Sequence, residues 1–173
     1  MFRSYNALFL DRDGTLIKDC GYLSEPEKVQ ILPGVKACLH ALQQRPWIFF
    51  LFSNQSGVGR GLFSLEQVKH CNLRMLELLE LEAPFFQETC LAIGTPEAPC
   101  PYRKPSPRFI LECIKKYHLK KGKCWMVGDK ISDVQAGVAA DIHTIFLGKI
   151  NCTEAQYTCS DFFEVQQLLE PLA

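Results

Sequence analysis

Charge of neither sign is in excess in this chain: Lys and Arg number 19, Asp and Glu number 19, and the formal net charge is zero. That balance argues against a nucleic-acid footprint and against a polybasic face for a membrane. The longest apolar stretch, Trp47 to Phe52, falls far short of the roughly 20 residues a membrane-crossing helix needs. A secretory signature is missing as well. Only Arg3 precedes the short apolar segment near the start, and Asp11 interrupts it at once. The nine cysteines are odd in number, which argues against a complete disulfide framework. Cys38, Cys71, Cys113 and Cys124 fall within expected helices or strands, where a free thiol packs as a small hydrophobe. There is no internal repeat, no low-complexity tract and no linker. The expectation is one soluble cytoplasmic domain over residues 1–173, a monomer by default, with one core.

Within that frame, strand and helix signals alternate. Strands are expected at about 6–10, 47–53, 88–93, 123–127 and 143–147, and helices at about 34–44, 64–82, 106–118, 132–140 and 161–169. Ser64 with Gln67 and Ser132 with Gln135 fit capping boxes, and Asp161 with Glu164 is a weaker version. Ser106 before Pro107 fits an N-cap followed by proline. Alternation of this kind predicts an α/β fold, a parallel sheet with helices on both faces. The stripe Leu73, Leu76, Leu79 and the strand residue Trp125 are expected in the core. Phe162 and Phe163 are expected to dock a terminal helix. Gly94 to Pro105 is the longest irregular stretch and holds four prolines.

Polar groups follow four of the strands in order. Asp11 and Asp13 follow the first, two residues apart on extended chain, so their side chains converge. Like charges that close disfavour ionisation unless a cation lies between them. Ser53-Asn54-Gln55 follows the second strand, Arg103-Lys104 the third, and Asp129-Lys130 with Asp133 the fourth. In a parallel sheet these all reach the carboxyl edge, where ligands bind. The chemistry that needs such a set is phosphoryl transfer. Asp11 is placed to attack phosphorus, and Asp13 to protonate the leaving oxygen and then activate water. Asp129 would complete an oxygen shell for Mg²⁺. Lys104 supplies positive charge to phosphoryl oxygens, and Ser53 holds another of them. Asp133 orients Lys130 or the metal shell rather than reacting. Arg60 either reaches an anion or sits on the surface, and Tyr22 either meets a ligand or packs its loop.

The motifs DRDGTL at 11–16, GYL at 21–23, LPGV at 32–35, SNQSGVGRG at 53–61, RKPSP at 103–107 and GDKISDVQAG at 128–137 carry a resemblance. Over about residues 5–148 the chain resembles the haloacid dehalogenase superfamily of aspartate-nucleophile phosphatases. Within it, the chain is most similar to the branch of heptose 1,7-bisphosphate phosphatases and histidinol-phosphatase domains. The resemblance implies a Rossmann-like sheet without a cap domain and a site screened only by the 16–33 and 94–102 loops. It implies Mg²⁺ held by Asp11, the Asp13 carbonyl and Asp129. It also implies substrate contacts from Arg12, Asp19, Tyr22, Asn54, Gln55, Arg103 and Lys130, with Arg103 setting specificity.

One departure stands out. The branch carries a zinc loop of the form Cys-x-His then Cys-x-Cys, and here those positions read Cys90, Ala92, Cys100 and Tyr102. Two of four ligands are gone, which argues against structural zinc. The proline-rich loop is expected to keep its shape without metal. A Mg²⁺-dependent phosphatase of a small phosphorylated metabolite follows, with a sugar bisphosphate such as heptose 1,7-bisphosphate as leading substrate. Histidinol phosphate is the runner-up, ahead of a polynucleotide 3′-phosphate and of a non-catalytic binding role.

Overall fold

The structure is a computed structural model and describes residues 5–82 and 84–172. Along the chain run β1 (Asn6–Leu10), α1 (Val35–Gln43), β2 (Trp47–Asn54), α2 (Ser56–Gly59), α3 (Leu65–Leu79) and β3 (Glu88–Ala92). There follow α4 (Arg108–Lys116), β4 (Cys124–Gly128), α5 (Ile131–Ala139), β5 (His143–Leu147), β6 (Tyr157–Cys159) and α6 (Phe162–Leu169). The strands form one parallel sheet in the order β3-β2-β1-β4-β5-β6. The expected α/β Rossmann-like architecture is what forms. No helix among the described residues is long and apolar enough to cross a membrane.

Alternation along the central strands divides the core in two. Leu8 and Leu10 of β1, Phe49 and Leu51 of β2, and Trp125 and Val127 of β4 face the layer of α1, α3 and α6. Ala7 and Phe9, Phe50 and Phe52, and Cys124 and Met126 face α4 and α5. On that second face the rings of Phe9 and Phe50 stack at 4.6 Å. Both faces are covered, so these strands read as continuous apolar runs.

Chain direction places the site. From β1 the chain winds outward to β2 and β3, then returns to β4 on β1's other side. The crossover loops diverge there, opening a crevice at the carboxyl ends of β1 and β4.

Several local expectations change. The Ser64 box forms, with Ser64 Oγ accepting from Gln67 N–H at 3.2 Å and Gln67 Oε1 accepting from Ser64 N–H at 2.8 Å. The Ser132 box does not. α5 begins one residue earlier, and Asp133 Oδ2 accepts from the Lys130 N–H at 2.9 Å. Pro107, not Ser106, occupies the cap position of α4, while Ser106 Oγ donates to the Pro101 carbonyl at 2.8 Å. Leu76 and Leu79 are core, but Leu73 is 51% exposed. Phe162 is buried and docks α6, whereas Phe163 is exposed. β6 is a short strand absent from the sequence reading.

Candidate active site

The segment after β1 turns sharply because the Arg12 carbonyl accepts from the N–H groups of Thr15, Leu16 and Ile17 at 3.3, 2.9 and 3.1 Å. Gly14 has φ +85°, and a Cβ there would lie 2.2 Å from Asp129 Oδ2. The turn therefore needs glycine twice over, for its left-handed backbone and for the room it leaves Asp129. Thr15 Oγ1 donates to Asp129 Oδ1 at 3.2 Å, fixing that carboxylate from the β1 side.

Asp11, Asp129 and Asp133 bring carboxylate oxygens within 4.8 Å of one another. Burial, and then the charge of Asp11, push Asp129 up to about 7. An oxygen-only cluster of partly buried anions at a strand end fits a hard divalent cation, which prefers carboxylates together with phosphate and water.

Lys104 enters from the loop before α4. Its Nζ lies 2.7 Å from Asp11 Oδ1, 2.6 Å from Asp133 Oδ1 and 2.6 Å from the Phe52 carbonyl. This buried ammonium donates to Asp11 and the Phe52 carbonyl and is ion-paired with Asp133. Burial alone would lower its pKa, but the charges of Asp11 and Asp133 outweigh that and hold it above the ordinary lysine value. Asp133 thus aligns Lys104 through one oxygen and the start of α5 through the other. Asn54 positions the same lysine from behind, its Oδ1 accepting from the Lys104 N–H at 3.0 Å and its Nδ2 donating to the Lys104 carbonyl at 3.2 Å.

Asp13 is held by a different group. Its Oδ2 accepts from Arg12 Nε at 3.0 Å and from Gln55 Nε2 at 2.7 Å, and its Oδ1 accepts from Arg12 Nη2 at 3.0 Å. Gln55 Nε2 also donates to Ser53 Oγ at 2.9 Å. Arg12 is 1% exposed, so it is not available to substrate in this structure, contrary to the role the motif suggested. Asn54 and Gln55 line the cleft while their amides serve Lys104 and Asp13.

The cleft has a volume of about 210 Å³, with Asp13 and Asn54 at its inner side and Asp19, Tyr22, Phe63 and Lys130 around it. Asp19 Oδ2 and Lys130 Nζ meet at 3.1 Å. Tyr22 is exposed with its ring 6.2 Å from that of Phe63, so it serves both the cleft and its own loop. Three larger concavities, about 530, 410 and 260 Å³, are lined by none of the strand-end carboxylates.

Arg103 does not line this cleft. Its Nη1 donates to the Gly94 carbonyl at 2.9 Å, closing the base of the 94–102 loop. Arg60 Nη2 donates to both carboxylate oxygens of Glu97 in that loop, at 3.1 and 3.0 Å, in an exposed ion pair. At the altered zinc positions, the Ala92 carbonyl accepts from Gln55 N–H and the Tyr102 hydroxyl donates to Glu112 at 2.9 Å. Thr15, Asn72 and Phe63 are site residues that the motifs did not single out. Thr15 lies inside DRDGTL and was findable; Asn72, in mid-α3, carried no local signal.

The same arrangement has relatives. A family model described as haloacid dehalogenase-like hydrolase matches residues 17–141. The D-glycero-β-D-manno-heptose-1,7-bisphosphate 7-phosphatase of Helicobacter pylori is 31% identical over 168 residues, covering 95% of this chain and 97% of that one. The enzyme of the same name from Yersinia pestis is 33% identical over 155 residues, covering 83% and 80%. The crystal structure of D,D-heptose 1,7-bisphosphate phosphatase from B. bronchiseptica, complexed with magnesium and phosphate, superposes with a TM-score of 0.85. It is 24% identical and covers 97% of this chain and 99% of that one, and it speaks to the fold. With a family model spanning most of its length and a relative this similar from end to end, the chain belongs to the haloacid dehalogenase-like hydrolases.

Proposed function

We propose that this phosphatase removes a phosphate from a small phosphorylated sugar, with D-glycero-D-manno-heptose 1,7-bisphosphate as substrate. The observation that carries the chemistry is the meeting of the Asp11, Asp129 and Asp133 carboxylates beside the Lys104 ammonium, with Asp13 lining the cleft. The substrate class is supported by relatives named for that bisphosphate over nearly the whole chain.

In this reading Asp11 attacks phosphorus and becomes an aspartyl phosphate as the bond to the sugar oxygen breaks. Asp13 gives its proton to that oxygen and later takes one from the attacking water. Lys104 trades part of its contact with Asp11 for phosphoryl oxygens, which disperses their charge. Ser53 offers its hydroxyl to another of them. Asp11, Asp129 and the Asp13 carbonyl hold Mg²⁺, which when bound supplies charge neutralisation among the carboxylates and the phosphate. Lys130, half-exposed at the rim, leaves Asp19 to meet the substrate's second phosphate. The reading gives the 94–102 loop no zinc; Arg103 keeps that loop shaped, and the loop borders the substrate.

The test is phosphate release with Mg²⁺ from sugar bisphosphates, histidinol phosphate and a 3′-phosphorylated oligonucleotide, with Asp11→Asn as control. The heptose bisphosphate is expected to stand well above the rest, and the variant to be inactive yet folded. Turnover that survives Asp11→Asn would overturn the covalent step, and a preference for another ester would overturn the substrate.

A further inference from the structure

We propose that Arg12 is a positioning residue for the acid/base step, anchored from the far side by Asn72 of α3. The proposal rests on the phosphatase reading above and assigns a role within it. The observation is geometric. Arg12 lies in the bend just after β1 and its side chain is buried. Its guanidinium grips Asp13 with two donors, at 3.0 Å each. Two of the three remaining donors are used as well. Nη1 donates to Asn72 Oδ1 at 2.9 Å, and Nη2 donates to Gln55 Oε1 at 3.2 Å.

The result is a closed ring of side chains. Arg12 and Gln55 both donate to Asp13 Oδ2, and they hydrogen-bond to each other. Oδ2 therefore has both of its lone pairs occupied, while Oδ1 accepts a single hydrogen bond and keeps one position free. Arg12 and Gln55 thus fix the carboxylate in place and leave Oδ1 as its open oxygen. A planar fork suits this task because it fixes both the distance and the plane of the carboxylate. An ammonium in its place is a point charge and fixes neither.

Two steps depend on that placement. In the first, the Asp11 oxygen bonds to phosphorus, the ester bond breaks, and the proton on Asp13 passes to the departing oxygen. In the second, water oxygen bonds to phosphorus, the bond to Asp11 breaks, and a water proton returns to Asp13. Misplacing Asp13 slows both while leaving substrate contacts in place.

The experiment compares wild type, Arg12→Lys and Asn72→Ala on two generic esters, phenyl phosphate and p-nitrophenyl phosphate, with Mg²⁺ present. The nitrophenolate leaves without protonation, whereas phenolate benefits from it. For Arg12→Lys, kcat/KM for phenyl phosphate is expected to fall about 100-fold, against less than about 10-fold for the nitrophenyl ester. With the ³²P-labelled nitrophenyl ester, whose first step needs no proton, the acid-quenched fraction of enzyme carrying label should rise because water activation slows. Asn72→Ala should show the same pattern more weakly, and it tests the ring even if the Arg12 variant folds poorly. Equal losses on the two esters, with no rise in phosphoenzyme, would make Arg12 merely structural and overturn the proposal. Wild type that cleaves neither ester and traps no label would instead overturn the phosphatase reading, and this assignment with it.

Discussion

The ammonium of Lys104 and the carboxylate of Asp11 meet at 2.7 Å, both almost without solvent contact, although they are 93 residues apart in sequence. Asp133 stands on the other side of the same ammonium at 2.6 Å. Two buried anions thus share one cation, and each holds the ammonium from its own side.

Asp133→Asn is therefore expected to cost stability as well as rate. The amide can accept from Lys104 or from the Lys130 N–H, but its NH₂ end then opposes a second donor. Leaving one buried donor opposed in this way costs about 1–3 kcal/mol. Lys104 would also lean wholly on Asp11, shifting the nucleophile, for a loss in kcat on the order of 100-fold. Urea unfolding and steady-state kinetics on a generic ester check both. A variant with wild-type stability would show that Lys104 does not need its second anion.

Gly14→Ala separates backbone strain from crowding at the site. Gly14 and Gly21 both have positive φ, +85° and +79°. A Cβ at Gly21 meets nothing within 4 Å, whereas one at Gly14 would lie 2.2 Å from Asp129 Oδ2. Gly21→Ala should cost the left-handed strain alone, about 1–2 kcal/mol. Gly14→Ala should cost that and displace Asp129, so Mg²⁺ binding followed by calorimetry should weaken sharply in this variant only. Equal Mg²⁺ affinity in the two variants would remove Asp129 from the metal site.

How far the sequence spoke depended on whether a signal was local. The strand ends were legible because apolar runs stop at carboxylates; Asp11 and Asp129 come together there with Asp133, while the Asp13 carboxylate is held separately by Arg12 and Gln55. Arg12, expected as a substrate contact, is buried against Asp13, and nothing local reveals that Asn72, 60 residues on, receives it. Asn54 and Gln55 follow a strand as phosphate contacts would, yet their amides are spent on Lys104 and Asp13. The α5 cap was missed because two three-residue spacings compete there, Ser132–Gln135 and Lys130–Asp133, and Asp133 is drawn inward by Lys104. In α3 the buried line runs through Val68, Cys71, Met75 and Leu79. Leu73 lies off that line, so its apolar character alone was a poor guide. β6 spans three residues, too few to show a period.

The last prediction concerns pH and metal together. Asp129 has a folded-state pKa pushed up to about 7 from an ordinary 3.8, by burial first and by Asp11 next, with Asp133 adding and Lys130 opposing. Thr15 Oγ1 is the side-chain donor that faces it. Between about pH 4 and pH 7 the folded, metal-free protein holds a proton on Asp129 that the unfolded chain has released. Stability contributed by this group is thus highest at acid pH, declines as pH rises through that window, and levels off above it. Mg²⁺ competes with that same proton, so the rise in Tm on adding Mg²⁺ should be small at pH 5.5 and large at pH 8. Asp129→Asn has no proton to lose and should flatten both trends, leaving the metal-free Tm less dependent on pH than in wild type. Differential scanning fluorimetry with EDTA and with Mg²⁺ across that range reads both proteins. A Mg²⁺-induced shift in wild type that is the same at pH 5.5 and pH 8 would mean that Asp129 is already ionised in the metal-free fold, its charge held by Lys130 and Thr15 rather than waiting for a cation.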